Sequence, residues 1–389
     1  MPVDRVRIDD ARTYLRLAPL STEFRHGFDF VFAAGADEFR DFSGELLLAS
    51  RTDAVSRKQR GGISGRVLVM DQPLGPDADA AFARFAAAGI TGVIVPVLDS
   101  AAFAGAVASL SDARYSLRNE AGAPPPNRTL PLIYAGPRLT AAIAAVVRLQ
   151  DTTHVEVAAH GVRTPLVARN IIALLPGTDS TPTDIAAFAA HFDHLGTVRG
   201  TGCADSIYNG FSDNAAGVAM LLGLAEALAQ NPPPHATLFL FFTGEERGLL
   251  GSSWFAAHPT VPLERMRVLV NLDAGAPPAP PVSWRVATND TTLAVSAARA
   301  LEARGWSVER SSARANSDHW PLERAGVPAL FLIPGADWEG LDEAGEASLR
   351  MRWDHYHQLD DEWSAEFPFS GLQRYAEAAL EIVRAVMRD

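Results

Sequence analysis

Five segments of this chain carry imidazole or carboxylate side chains that a fold could gather: His191-Phe192-Asp193, Asp213 within Gly210-Phe211-Ser212-Asp213-Asn214, Glu245-Glu246, Asp273, and Tyr356-His357. Oxygen and imidazole donors in this mix suit zinc, or another divalent metal of similar character. Two such ions about 3.5–4 Å apart need one bridging carboxylate and roughly two further ligands each. His191, Asp213, Glu246, Asp273 and His357 meet that requirement. Their three carboxylates and a bridging hydroxide also balance two divalent charges, and uncompensated charge in a crevice is expensive.

Taken singly, each residue has a plainer explanation. Asp213 reads as a helix N-cap, and Glu245-Glu246 as charge in a first helical turn. Asp193 and Asp318 read as turn residues, and a His near a strand end is usually a satisfied polar group. What sets the group apart is where its members fall. Residues 185–190 form a strand running into His191, residues 237–242 a strand running into Glu245-Glu246, and residues 268–272 a strand ending at Asp273. Residues 214–230 form a helix opened by the turn that holds Asp213. The near-continuous apolar run at 237–242 is what a strand buried on both faces requires. In open α/β sheets ligands bind at the carboxyl ends of the strands, so these segments converge on one crevice. The last segment, from Tyr356 to Glu362, is a loop able to fold over the same edge.

Strands at 170–175 and 328–333, a helix at 291–304 and a closing helix from Ser364 onward complete an alternating pattern. The expected fold class is α/β: a mixed, mostly parallel central sheet with helices on both faces, and a smaller β-rich accessory domain. The boundary is placed at 165/166. Residues 1–165 form the N-terminal segment and accessory domain, with a core at about 40–150, and residues 166–389 the larger domain. In the first part, strands at 65–70, 93–97 and 130–134 surround a helix at 77–88, and Pro124-Pro125-Pro126 interrupts the pattern. No cluster of His, Asp and Glu stands out there.

The balance of 46 acidic to 34 basic residues, a formal charge of −12, argues against nucleic acid or an anionic membrane as partner, since both need clustered Lys and Arg. No apolar run is long enough to span a bilayer, and the start, Met1-Pro2-Val3-Asp4-Arg5, shows no signal peptide. The lone Cys203 excludes an intramolecular disulfide and a thiolate cluster, and it is assigned no role.

In order, His191-Phe192-Asp193-His194-Leu195-Gly196, Asn209 to Gly217, Gly244 to Ser252, Asn271-Leu272-Asp273 and Tyr356-His357 resemble the motifs of the co-catalytic di-zinc exopeptidases. That family includes bacterial leucyl aminopeptidases, aminopeptidase Y and glutamate carboxypeptidase II. The resemblance covers roughly residues 170–389, and the N-terminal region looks like the protease-associated domain that many members carry. It implies an aminopeptidase with two zinc ions, acting on peptides with a free N-terminus and secreted or periplasmic. It further implies that Asp213 bridges the ions, that His191 and Asp273 complete one site, and that Glu246 and His357 complete the other. Glu245 becomes the general base, and Asp193 orients His191 through its other ring nitrogen. Asp318, in Ser317-Asp318-His319, matches a further family motif with no role assigned. His357 is preferred over His355 because Asp361, four residues on, keeps the family spacing. Rival readings are a glutaminyl cyclase of the same fold with a single zinc, a carboxypeptidase or dipeptidase, and a non-catalytic receptor-like member. The carboxypeptidase needs a basic residue for the substrate carboxylate, which the sequence does not place. Oligomeric state is left open.

Overall fold

The structure is a computed structural model that describes residues 1–20, 22–33, 41–49, 63–70, 78–110, 114–117, 130–149, 153–179, 184–197 and 205–388. Cys203 and Pro124-Pro125-Pro126 lie outside these residues. The chain divides into two units, one of residues 2–167 and one of residues 168–389 together with Met1.

In the larger unit, strands β1 (Ile171–Leu175), β2 (Ile185–His191), β3 (Ala236–Phe242), β4 (Met266–Asn271), β5 (Ser283–Ala287), β6 (Ser307–Ser311) and β7 (Ala329–Pro334) form one sheet. Their order is β1-β3-β2-β4-β7-β5-β6. The pairs β2/β3, β2/β4, β4/β7 and β5/β6 are parallel, whereas β1/β3 and β5/β7 are antiparallel. The sheet is therefore mixed and mostly parallel. Every residue of β2 and β3 is buried, as the apolar runs demand for central strands covered on both sides.

Alternation along these strands builds two cores. Phe188, Phe239, Val270 and Trp284 face one way, where helices α1 (Ala216–Gln230), α3 (Thr291–Glu302) and α6 (Ser370–Val386) cover them. Ala187, Leu238, Leu240 and Leu269 face the other, toward Phe255 of α2 (Leu250–Ala257) and Leu322 of α4 (His319–Arg324). On α1 the buried positions Ala216, Met220, Leu221, Leu224 and Leu228 recur at helical spacing, which puts one stripe on the sheet. A further helix, α5 (Glu343–Trp353), buries no residue. It is led by the Asp342 side chain, which accepts from the Gly345 amide at 2.9 Å.

The smaller unit holds an eight-stranded sheet, a three-stranded sheet and helices Ala78–Ala87, Ser100–Leu110 and Pro137–Leu149. Its parallel centre, Phe42–Ala49, Arg66–Met70, Gly92–Pro96 and Leu132–Ala135, packs Val67, Val69, Ile94 and Ile133 against Leu139, Ile143 and Val146.

Candidate metal centre

The carboxyl ends of β2, β3 and β4, three adjacent parallel strands, carry most of the site. His191 is the last residue of β2, Glu245-Glu246 follow β3 after a Thr243-Gly244 turn, and Asp273 lies two residues past β4. Asp213 arrives from a distorted turn, Phe211–Ala215, that leads into α1. Its own backbone is non-helical (φ −129°, ψ 86°), and the residue that heads α1 is Ala215, so Asp213 is not the helix cap. The Asn214 side chain serves the first turn instead, its Oδ1 accepting from the Gly217 amide at 3.0 Å while its Nδ2 donates to the Leu272 carbonyl at 3.0 Å.

Asp213 divides its two oxygens between two clusters. Oδ1 lies 3.0 Å from His191 Nε2, which is also 2.8 Å from Asp273 Oδ1. Oδ2 lies 2.9 Å from His357 Nε2, which is 3.5 Å from Glu246 Oε1. Two sets of donor atoms result, His191/Asp213/Asp273 and His194/Asp213/Glu246/His357, each lying within 4.8 Å of one another. All five residues singled out as ligands are thus brought together. His355 points elsewhere, to Asp360 at 3.1 Å and the Arg352 carbonyl at 2.8 Å. His357 reaches the site with φ 58°, a conformation that costs of order 1–3 kcal/mol for a non-glycine residue and is tolerated where surroundings over-determine it. Tyr356 stacks on its ring at 3.9 Å.

The donor set fits a cation on geometric grounds. His191 Nδ1 donates to the Asp193 backbone carbonyl at 3.0 Å, because a carbonyl can only accept. In the neutral ring Nε2 is then a bare lone pair facing the oxygens of Asp213 and Asp273. Three acceptors meeting in a buried place need positive charge between them, a proton or a metal ion. The pKa of His191 shows the same demand: burial lowers it, yet the Asp213 and Asp273 carboxylates outweigh burial and raise it far above its ordinary value. Asp273 is raised, by burial first. Asp213 is lowered overall, since the hydrogen bond and charge of His191 overcome burial. Glu245, half-buried beside these groups, is pushed up to about 9 by burial and by the charge of Asp273.

Asp193 departs from the expected role. Its carboxylate stands 3.8 Å from His191 Nδ1 and instead accepts from the Glu245 amide at 3.1 Å. The backbone carbonyl of the same residue orients the imidazole, and the side chain orients Glu245.

Three supports were not legible as such. His194 Nδ1 lies 2.7 Å from Glu246 Oε1; its signal was a second His in the same strand-end motif. Asp361, buried, accepts from Ser212 N at 2.9 Å, Ser212 Oγ at 2.8 Å and Asp213 N at 3.3 Å, fixing the turn that carries Asp213. Only its spacing after His357 marked it. Ser317 donates to Asp273 Oδ2 and accepts from Asn271 Nδ2 at 2.6 Å. Neighbouring Asp318 and His319 are fully buried.

Beside the centre lies a cavity of about 370 Å³, walled by Asp273, Ala274, Trp338, Arg350, Trp353 and Tyr356. Among the described residues of the smaller unit no comparable set of metal-capable side chains occurs.

This chain resembles known proteins in sequence and in fold. A 110-residue stretch is 32% identical to the probable leucine aminopeptidase 2 of Aspergillus oryzae, covering 28% of this chain and 20% of that protein. A 181-residue stretch is 27% identical to aminopeptidase YwaD of Bacillus subtilis, covering 43% and 36%. The matches thus span about a third or less of these curated relatives. Among solved structures, the aminopeptidase of Aneurinibacillus sp. strain AM-1 superposes with a TM-score of 0.57 at 18% identity, over 100% of this chain and 82% of that one. The zinc aminopeptidase BSAP of Bacillus subtilis gives 0.53 at 19%, over 99% and 84%. These two likenesses establish the fold. The model of peptidase family M28 matches residues 170–383, more than half of the chain and the whole of the metal centre, and the chain belongs to that family.

Proposed function

We propose that the chain is a zinc-dependent aminopeptidase that removes N-terminal residues from peptides, using two ions held by His191, Asp213, Glu246, Asp273 and His357. The observation that carries this reading is the division of Asp213, one oxygen toward His191 and the other toward His357. The four proteins compared above are all named aminopeptidases, one of them a zinc aminopeptidase, and these names support the same reaction.

Bound there, the ions would lower the pKa of a water from 15.7 to about 7 and polarise the scissile carbonyl. Glu245 takes the water's proton and passes it to the leaving amine. At about 9 its carboxyl is protonated near neutral pH, but neighbouring cations favour the ionised form and restore it as a base. Asp193 fixes its position through the Glu245 amide. The N-terminal side chain enters the cavity beside Asp273, where Trp338, Trp353 and Tyr356 supply apolar surface. We read the smaller unit as a protease-associated accessory domain, and the protein as secreted or periplasmic. Fractionation of the source cells tests that address.

The test is a panel of aminoacyl-nitroanilides with and without a chelator, followed by re-addition of zinc. Cleavage that the chelator abolishes and zinc restores is the expected result, and cleavage indifferent to the chelator ends the proposal. One observation favours a second reading. Arg350 offers the cavity wall a guanidinium, although its Nη2 already donates to the Ala336 carbonyl at 2.6 Å and reaches Glu346 at 3.4 Å. A carboxypeptidase could use it to hold a substrate carboxylate. Release of the C-terminal residue from an N-acetylated peptide, with no nitroanilide cleaved, would select that alternative.

A further inference from the structure

We propose that His194 is a fourth protein ligand of the ion held by Asp213, Glu246 and His357, so that the two metal positions differ in the number of their protein ligands. The other position, on His191, Asp213 and Asp273, has three. The inference rests on the metallopeptidase reading above.

The first ground is spacing. Donor atoms bound to one tetrahedral zinc at 2.0–2.1 Å lie roughly 3.3 Å apart. In this cluster His357 Nε2 is 2.9 Å from Asp213 Oδ2 and 3.5 Å from Glu246 Oε1, and His194 Nδ1 is 2.7 Å from the same Glu246 oxygen. His194 therefore meets the same Glu246 oxygen as His357 does, and all four donors lie within 4.8 Å of one another.

The second ground is how the ring is housed. The His194 side chain is only 8% exposed. Among the described residues its sole hydrogen-bond partner is Glu246, since Nε2 is buried without one. All of its pairing thus faces the metal cluster. Tyr208 meets the ring edge-on at 6.2 Å and His357 lies 5.5 Å away. Gly210 makes the space: with φ 66°, it would place a Cβ only 2.7 Å from His194 Cγ. The ring is therefore held in place by the backbone at Gly210 and not by a partner at its other nitrogen.

The third ground is contrast. Among the described residues the set around His191 holds three groups and no second imidazole, whereas the set around His357 holds four with His194 as its second imidazole.

The experiment compares the full-length parent, His194→Ala and His194→Gln, each loaded with zinc. X-ray absorption at the zinc edge should count three imidazoles over two zincs in the parent and two over two in a zinc-saturated His194→Ala. Chelator competition should show one zinc of His194→Ala weakened by more than about a hundredfold, beyond the loss of a supporting hydrogen bond, with the other unchanged. His194→Gln keeps an amide N–H for Glu246 but not the imidazole, so it should behave as His194→Ala. A His194→Gln that retains parental affinity overturns the proposal, because His194 then acts only by positioning Glu246. Two zincs with one imidazole each in the parent, a measurement independent of whether the variants fold, also overturn it while leaving the aminopeptidase reading intact. A parent that takes up no zinc overturns both together.

Discussion

Two oxygen atoms of one side chain set the chemistry. Because Asp213 faces His191 on one side and His357 on the other, its loss should empty both positions rather than one. Elemental analysis of Asp213→Ala checks this, and a variant retaining two ions refutes the bridging role. Glu245 contributes differently, since it belongs to neither donor set. Glu245→Gln should keep nearly full zinc content and lower kcat by about 10²–10⁴-fold, the usual yield of general acid–base catalysis. Steady-state kinetics beside a metal assay separate the two effects, and a kcat close to the parent's would remove Glu245 from the mechanism.

At the scale of elements, the site depends on how closely helix α1 approaches the end of β4. Gly217, in the first turn of α1, permits that approach: a Cβ there would lie 2.3 Å from Asn214 Oδ1 and 2.5 Å from the Leu272 carbonyl, next to Asp273. Backbone on one side and the Asn214 amide on the other leave nothing free to yield. Gly217→Ala should therefore lower stability by about 1–3 kcal/mol, as overpacking does, and weaken zinc binding with it. Gly223, two turns along the same helix, is exposed with nothing within 4 Å of its Cβ position. Gly223→Ala should stabilise by about 0.5–1 kcal/mol through helix propensity alone. Urea melts of the pair give opposite signs if the contact at Gly217, and not the loss of a helical glycine, governs the outcome.

At the scale of the whole molecule, folding stability should register two adjacent buried groups with opposed pH dependence. Burial lowers His319 to about 4, so between that pH and its ordinary 6.5 the unfolded chain binds the extra proton. Stability from this residue is complete above 6.5 and is lost as pH falls through the window, up to about 3 kcal/mol. Asp318 is raised from 3.8 to about 7, by burial first, and there the folded chain binds the extra proton. Its contribution is present at low pH and lost as pH rises from about 4 to about 7. Relative to the parent, His319→Phe should gain stability on acidification and Asp318→Asn on going toward neutrality. Chemical denaturation of zinc-free protein from pH 4 to 7 measures both slopes, and parallel curves for all three chains would refute the assignment.

What could be read without coordinates was whatever a local pattern fixes. The apolar runs at 237–242 and 268–272 became central strands because seven- and six-residue segments covered on both faces leave little room for polar residues. Their ends placed Glu246 and Asp273, and the spacing to Asp361 selected His357 over His355. Strands β5 and β6 escaped notice because they lie toward one edge of the sheet, where Arg285, Glu309 and Arg310 can face solvent and blur the apolar signal. The exposed helix α5 escaped for the same reason. Asp361 and Ser317 act only across 149 and 44 residues of intervening chain, and His194 only through its distance to Glu246, so no local spacing could assign their parts. Residue type and order along the chain determined the kind of site and its five main groups. Tertiary structure alone decided which oxygen meets which ring, because distances between side chains from separate strand ends depend on how the sheet and α1 pack.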